Sequence, residues 1–134
     1  TEIFAASGGA SLFRTAMLAE VGLMDEDFFA YYEDVDLSWR IHRAGFRIMV
    51  TPAARVRHVG SASSKRNRPF FERLAARNRI WLFRRNLPWW RQAFILPILT
   101  VARLLLTLPS IGNQAIFQAQ LSGLWAGLTE QVPA

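Results

Sequence analysis

Phe28-Phe29-Ala30-Tyr31-Tyr32-Glu33-Asp34-Val35-Asp36-Leu37 sets three carboxylates directly behind four aromatic rings. Behind them Leu37, Ile41 and Ala44 recur at helical spacing, which predicts a helix over 33–44 with one apolar stripe. The acids occupy its first turn and Arg40 and Arg43 lie toward its end, matching the helix dipole, and Gly45 closes it. Acids crowded against apolar surface must be paired, hydrated or put to use, because burying a bare charge is costly.

Helical geometry turns Asp34 about 100° away from Glu33 and Asp36, which share nearly one face. Two readings stay open. In one, a carboxylate beside Tyr31 and Tyr32 is partly desolvated and serves as a general base. In the other, all three acids complement the helix N-terminus and Asp36 pairs with Arg40 across one turn.

Upstream, Gly8-Gly9 leads into Ala10-Ser11-Leu12-Phe13-Arg14, which reads as a short buried strand entered through a turn. Small residues at this turn either let a substrate approach the backbone or serve the turn alone; no GxxxxGK or GxGxxG pattern occurs. Thr15 is placed to cap a helix over 16–21 that Gly22 ends, and 24–30 reads as a loop carrying aromatic rings. Downstream, 46–50 reads as a strand, Thr51-Pro52 as a break, and 54–59 as an alternating strand that carries His58 toward its end. His58 could ligate a metal with a carboxylate partner or simply be hydrogen-bonded at a strand end; His42, beside Arg43, reads as structural. A polar, basic loop follows over 60–68.

The second half differs in kind. Between Lys65 and Arg91 nine basic residues face Glu72 alone, whereas from Thr1 to Ser64 acids slightly outnumber bases. That block carries most of the +6 net charge and favours a polyanionic partner, such as lipid headgroups, nucleic acid or a phosphorylated substrate. No helix-turn-helix, zinc-finger or RNP-type pattern accompanies it, so nucleic acid ranks last. Residues 69–86 read as a helix with arginines interleaved among apolar positions. After Pro88-Trp89-Trp90 an apolar run extends from Ala93 to Leu108, interrupted by Pro97 and Arg103. It falls short of the roughly 20 residues needed to cross a bilayer unless the tryptophans extend it. Flanking Trp and Arg residues suit an amphipathic helix in the membrane interface; the core helix of a larger protein is the other reading. A weaker helical segment covers 115–128.

At 134 residues the chain can form one domain with a core, and its 51% apolar content excludes a disordered polymer. Having no cysteine, it can form neither disulfides nor thiolate metal sites. The start at Thr1-Glu2-Ile3-Phe4 has no signal-peptide character and reads as the interior of a longer protein.

In order and spacing these pieces resemble the C-terminal half of a family-2 glycosyltransferase, particularly the rhamnosyltransferase-like members. The likeness is carried by residues 8–14, 21–29, 32–40, 43–48, 52–58 and Arg77-Asn78-Arg79. Glu33-Asp34-Val35-Asp36-Leu37 followed by Arg43-Ala44-Gly45 is its most specific part. The resemblance implies an α/β class, a partial GT-A (Rossmann-like) sandwich over 1–68 that carries the acceptor side. Over 69–134 a basic and apolar helical extension would follow. It implies inverting transfer from a UDP- or dTDP-sugar donor to a glycan or lipid-linked acceptor, with Asp34 as general base and Glu33 in support. Gly9, Ala10, Tyr32 and Asp36 would line the substrate site, and His58 would complete a Mg²⁺ or Mn²⁺ site. The family's Asp-x-Asp motif, which supplies its main metal ligands, has no counterpart before Gly8, so the chain is expected to be inactive without a donor-binding half. The C-terminal helices would hold the enzyme on the cytoplasmic face of the bacterial inner membrane. A non-catalytic basic module for binding membrane surfaces is the alternative function.

Overall fold

A computed structural model describes residues 1–57 and 64–133. They form two compact units, Thr1–Gly60 and Ser61–Ala134. The described part is mostly helical, with one sheet of two short antiparallel strands.

In the first unit β1 (Glu2–Ile3) pairs with β2 (Ile48–Met49), Glu2 opposite Met49 and Ile3 opposite Ile48. Helix α1 covers Thr15–Val21 and α2 covers Glu33–Arg43. Met17, Leu37, Ile41 and Ile48 form the core, and Ile3, Phe13, Val21 and Phe46 pack around it. The apolar stripe of α2 therefore supplies half of the buried centre. His42 is structural: it stacks on Phe4 at 5.1 Å and donates from Nε2 to the Phe4 carbonyl at 2.8 Å.

Several expectations are corrected here. Residues 10–14 are not a strand, and Leu12 stands 99% exposed. A short apolar run cannot by itself say whether a pairing edge is available, and none receives this one. The strand expected over 46–50 shrinks to two residues, and 54–57 has no regular structure. The sandwich inferred from the family likeness is thus not seen in these residues. Thr15 is the first residue of α1 rather than its cap; Arg14 holds that position without a side-chain bond.

The second unit contains α3 (Arg68–Asn86), α4 (Trp89–Thr107) and α5 (Gln114–Thr129). Gly123 and Gly127 bring α5 against α3 at backbone distance. A Cβ at Gly123 would overlap the Arg73 carbonyl and lie 2.9 Å from Ala76 Cβ, and one at Gly127 would lie 2.8 Å from Ile80 Cβ. Position 123 meets 73–76 and position 127 meets 77–80, so α5 runs parallel to α3. Helix α4 runs antiparallel to α3, since Gln92 donates to the Arg84 carbonyl and Arg103 reaches Glu72 at 3.5 Å. Pro97 sits inside α4 without ending it. The tryptophans and a short 3₁₀ turn extend this segment to Trp89–Ser110, 22 residues, which by length and composition is enough to cross a membrane.

Candidate active site

The acids of α2 have three different environments. Asp36 is fully buried, and its Oδ2 pairs with Arg40 Nε at 3.0 Å. The other two guanidinium nitrogens donate to the Val21 and Leu23 carbonyls. Gly22 between them has φ +82°, and a Cβ there would meet Arg40 Nη1 at 3.2 Å, so glycine serves both the turn and the passing side chain. Asp36 and Arg40 together fasten α2 to the end of α1. The carboxylate expected at the substrate is thus turned inward, in agreement with the simpler of the two readings of its sequence.

Asp34 lies at the unit's surface layer, half-buried. Its Oδ2 accepts from the Gly8 amide at 2.8 Å and its Oδ1 from the Val35 amide at 2.8 Å. Ser38, one turn on, donates from Oγ to the Asp34 carbonyl at 2.7 Å and accepts from the Ala6 amide at 3.1 Å. Residues 6–8 are therefore stitched along the first two turns of α2 by side-chain bonds at Asp34 and Ser38. Each carboxylate oxygen keeps a further lone pair for another donor. Gly9 and Ala10 complete a turn beside this contact, with the Ala10 amide bonded to the Ser7 carbonyl at 3.1 Å, and both are exposed.

Glu33 is the unsettled member. Its Oε2 is sealed from solvent with no hydrogen-bond partner among the described residues. Burial pushes its pKa above the ordinary carboxylate value; the bond from its own backbone works against this, and the neighbouring Asp34 charge adds to it.

The approach to α2 is strained. Phe29, Tyr31 and Tyr32 all have positive φ, at 61°, 69° and 72°. The Ala30 amide bonds to the Phe28 carbonyl at 2.7 Å across Phe29, whose ψ is −54°, which is the rare classic γ-turn. Side chains other than glycine seldom adopt such angles, and runs of them concentrate at functional sites. Phe28, fully buried, anchors the turn from below. The conformation presents Tyr31 and Phe29 outward, 42% and 68% exposed, next to the acids.

Residues 2–82 match the model of the family described as glycosyltransferase like family 2. The chain belongs to this glycosyltransferase family. Over 88 residues it is 38% identical to N-acetylglucosaminyl-diphospho-decaprenol L-rhamnosyltransferase of Mycobacterium tuberculosis, in both strain CDC 1551 / Oshkosh and strain ATCC 25618 / H37Rv. That alignment takes in 63% of this chain and 28% of each relative, so the chain corresponds to well under half of their length. No solved structure matches it significantly.

Within this member of the family, the structure gathers Gly8, Gly9, Ala10, Tyr32, Glu33 and Asp34 around the start of α2. His58 lies outside the described residues. Among the described residues no group of three His, Cys, Asp or Glu side chains is placed to hold a metal ion. These residues do not by themselves fit the expected Mg²⁺ or Mn²⁺. Sequence reasoning gave Ser38 no role and Gly8 none of its own; the serine four residues after Asp34, at the spacing of one helical turn, was the available signal.

Proposed function

We propose that this glycosyltransferase chain carries the acceptor-side half of an inverting transferase active site, with Asp34 as general base. The observation that carries the reading is the Asp34 carboxylate, held at the surface by the Gly8 amide beside a strained aromatic turn. Asp34 takes the proton of an acceptor hydroxyl as that oxygen attacks the anomeric carbon of a UDP- or dTDP-sugar. The bond from the anomeric carbon to the diphosphate oxygen breaks, its electrons leave with the nucleoside diphosphate, and the configuration at carbon inverts. Glu33 supports Asp34 or the acceptor, and Gly9, Ala10 and Tyr32 border the sugar. Asp36 acts at one remove, by keeping α2 in place through Arg40. A divalent cation, once bound with ligands from outside the described residues, would neutralise the departing diphosphate.

The relatives' name describes a rhamnosyl transfer to a sugar on a lipid diphosphate, which supports a lipid-linked acceptor here. The enzyme would then work peripherally at the cytoplasmic face of the bacterial inner membrane. Since the chain corresponds to 28% of those relatives, activity is expected from a complete transferase and not from these residues alone. Asp34→Asn in that complete enzyme is expected to lower transfer by about 10²–10⁴-fold and leave donor binding intact. Near-normal turnover would remove Asp34 as base.

A second reading, a non-catalytic basic module on the membrane surface, is favoured by the exposed apolar face of α4. Sedimentation with anionic liposomes that persists when both Asp34 and Glu33 are substituted, together with unchanged transfer by the complete protein, would select it.

A further inference from the structure

Helix α4 is built inside out. The positions turned toward α3 and α5 include Gln92, Thr100, Arg103 and Thr107 beside Leu96, which packs on Ala76, Ile80 and Leu124, whereas Phe94, Ile98, Val101 and Leu105 on the opposite side are 57–71% exposed. Pro97, Ile98, Val101, Ala102 and Leu105 line a shallow groove on that outer side with no polar surface in it. A helix resting on a water-soluble core has the reverse arrangement. Gln92, Arg103 and Thr107 find partners within the unit, while the buried Thr100 hydroxyl has none among the described residues. Gln92 donates to the Arg84 and Leu87 carbonyls, Thr107 donates to the Leu104 carbonyl, and Arg103 shares Glu72 with Gln120. Leu104 and Leu106, on the two flanks of this stripe, are exposed as well, so the outer face is wider than the narrow seam that one partner helix would cover. Hydrocarbon covers all of it at once.

Composition alone allows α4 to cross a bilayer, but its neighbour does not. Helix α3 runs antiparallel beside it from the Glu72–Arg103 pair to the Arg84–Gln92 bond and carries Arg68, Arg73, Arg77, Arg79, Arg84 and Arg85. A spanning α4 would take this whole row of arginines into the hydrocarbon, where each is strongly disfavoured. Lying flat satisfies both helices. The apolar side of α4 enters the acyl boundary while α3 stays above it, among the anionic headgroups its charge suits. At the start of α4, Trp89 is 80% exposed and Trp90 packs under Arg91 at 4.8 Å, the amphipathic pairing found at a membrane interface.

We infer that α4 is an in-plane membrane helix, buried along its Phe94–Ile98–Val101–Leu105 face in the cytoplasm-facing leaflet and not spanning it. This rests on the membrane-surface reading above and fixes its geometry. It places the acceptor's lipid anchor and the enzyme's own anchor in the same leaflet.

The chain contains no cysteine, so single thiols can be introduced without competition. Phe94→Cys, Ile98→Cys, Val101→Cys and Leu105→Cys, each spin-labelled, would be bound to vesicles of equimolar phosphatidylcholine and phosphatidylglycerol. Label depth is then read from oxygen and nickel-chelate accessibility. The expected result is lipid exposure at all four sites, at the same depth to within about 5 Å, one helical turn. A steady change of depth, about 16 Å from position 94 to 105, means a spanning helix and overturns the inference while leaving membrane attachment standing. Aqueous labels with no lipid contact overturn both. Labels that broaden one another with rising protein concentration, in the absence of lipid, identify a second copy as the occupant and overturn the inference as well. The double variant Ile98→Glu with Val101→Glu places charge only at exposed positions. Its helical circular dichroism is expected to be unchanged and its vesicle binding reduced by at least about tenfold; undiminished binding overturns the inference.

Discussion

The two units solve the same problem, placing polar groups inside, by different means. In Thr1–Gly60 a few directional bonds do the fastening: Asp36 to Arg40, Arg40 to two carbonyls, and the Gly8 and Ala6 amides to Asp34 and Ser38 of α2. In Ser61–Ala134 close backbone contact at Gly123 and Gly127 holds α3 to α5, and its polar cluster of Glu72, Arg103 and Gln120 sits behind an apolar exterior. Directional bonds fix one carboxylate at one angle, which suits a unit that must orient a base. Shape-fitted helices tolerate an inverted exterior, which suits a unit that meets lipid.

The largest effect should come from cutting the fastening of the first unit. Asp36→Ala leaves Arg40, mostly buried, without its counter-charge, and a loss of about 3 kcal/mol is expected in the hydrogen-exchange stability of α2 amides. Retained protection in α2 would mean that packing, not the ion pair, holds it, and would erase the contrast between the units. Next, Gly123→Ala forces α5 off the Arg73 carbonyl and should cost about 1–3 kcal/mol, read in the amides of α3 and α5. A neutral result would show that this contact has slack.

A third substitution separates strain from packing. Tyr32→Gly relieves a positive φ, and a gain of about 0.5–1 kcal/mol is expected in thermal denaturation, with reduced transfer in a complete enzyme. A loss of stability instead would show that the Tyr32 ring packs more strongly than its backbone is strained. Glu33→Gln should give the smallest change. Burial raises the pKa of Glu33, so the native state favours its protonated form. Its relative stability is present below the ordinary glutamate pKa and is lost as pH rises through the raised value. At neutral pH the glutamine variant should therefore be more stable, by less than about 1 kcal/mol, with the advantage vanishing in acid. The same advantage at every pH would remove the buried charge as its cause.

Much of the helical framework was legible beforehand because it is local. The spacing of Leu37 and Ile41, the acids ahead of them and Gly45 behind placed α2 to within a residue, and the glycine after Val21 ended α1 as its pattern predicts. Residues 69–86 and 115–128 also lie within the observed helices. The strand expected at 10–14, and that at 54–59 over its described residues 54–57, did not form because a strand needs a partner, and pairing is a property of distant residues. The candidate site was partly legible. The acidic segment stood out and helical geometry already turned Asp34 away from Glu33 and Asp36, but those two share nearly one face, so the sequence did not say which of them is fully buried.

By itself the sequence determined where α2 begins and ends, the concentration of charge between Lys65 and Arg91, and the likeness to a glycosyltransferase family that residues 2–82 carry. Periodicity, capping and composition are written within a few turns of chain, so they need no fold to be read. Tertiary structure decided that the Asp36–Arg40 pair is buried against the end of α1, that the Gly8 amide meets Asp34, that Glu33 Oε2 is sealed without a partner among the described residues, and that polar side chains of α4 turn toward α3. Each of these depends on which surface another segment covers, and a contact across 26 positions, as between Gly8 and Asp34, leaves no local trace.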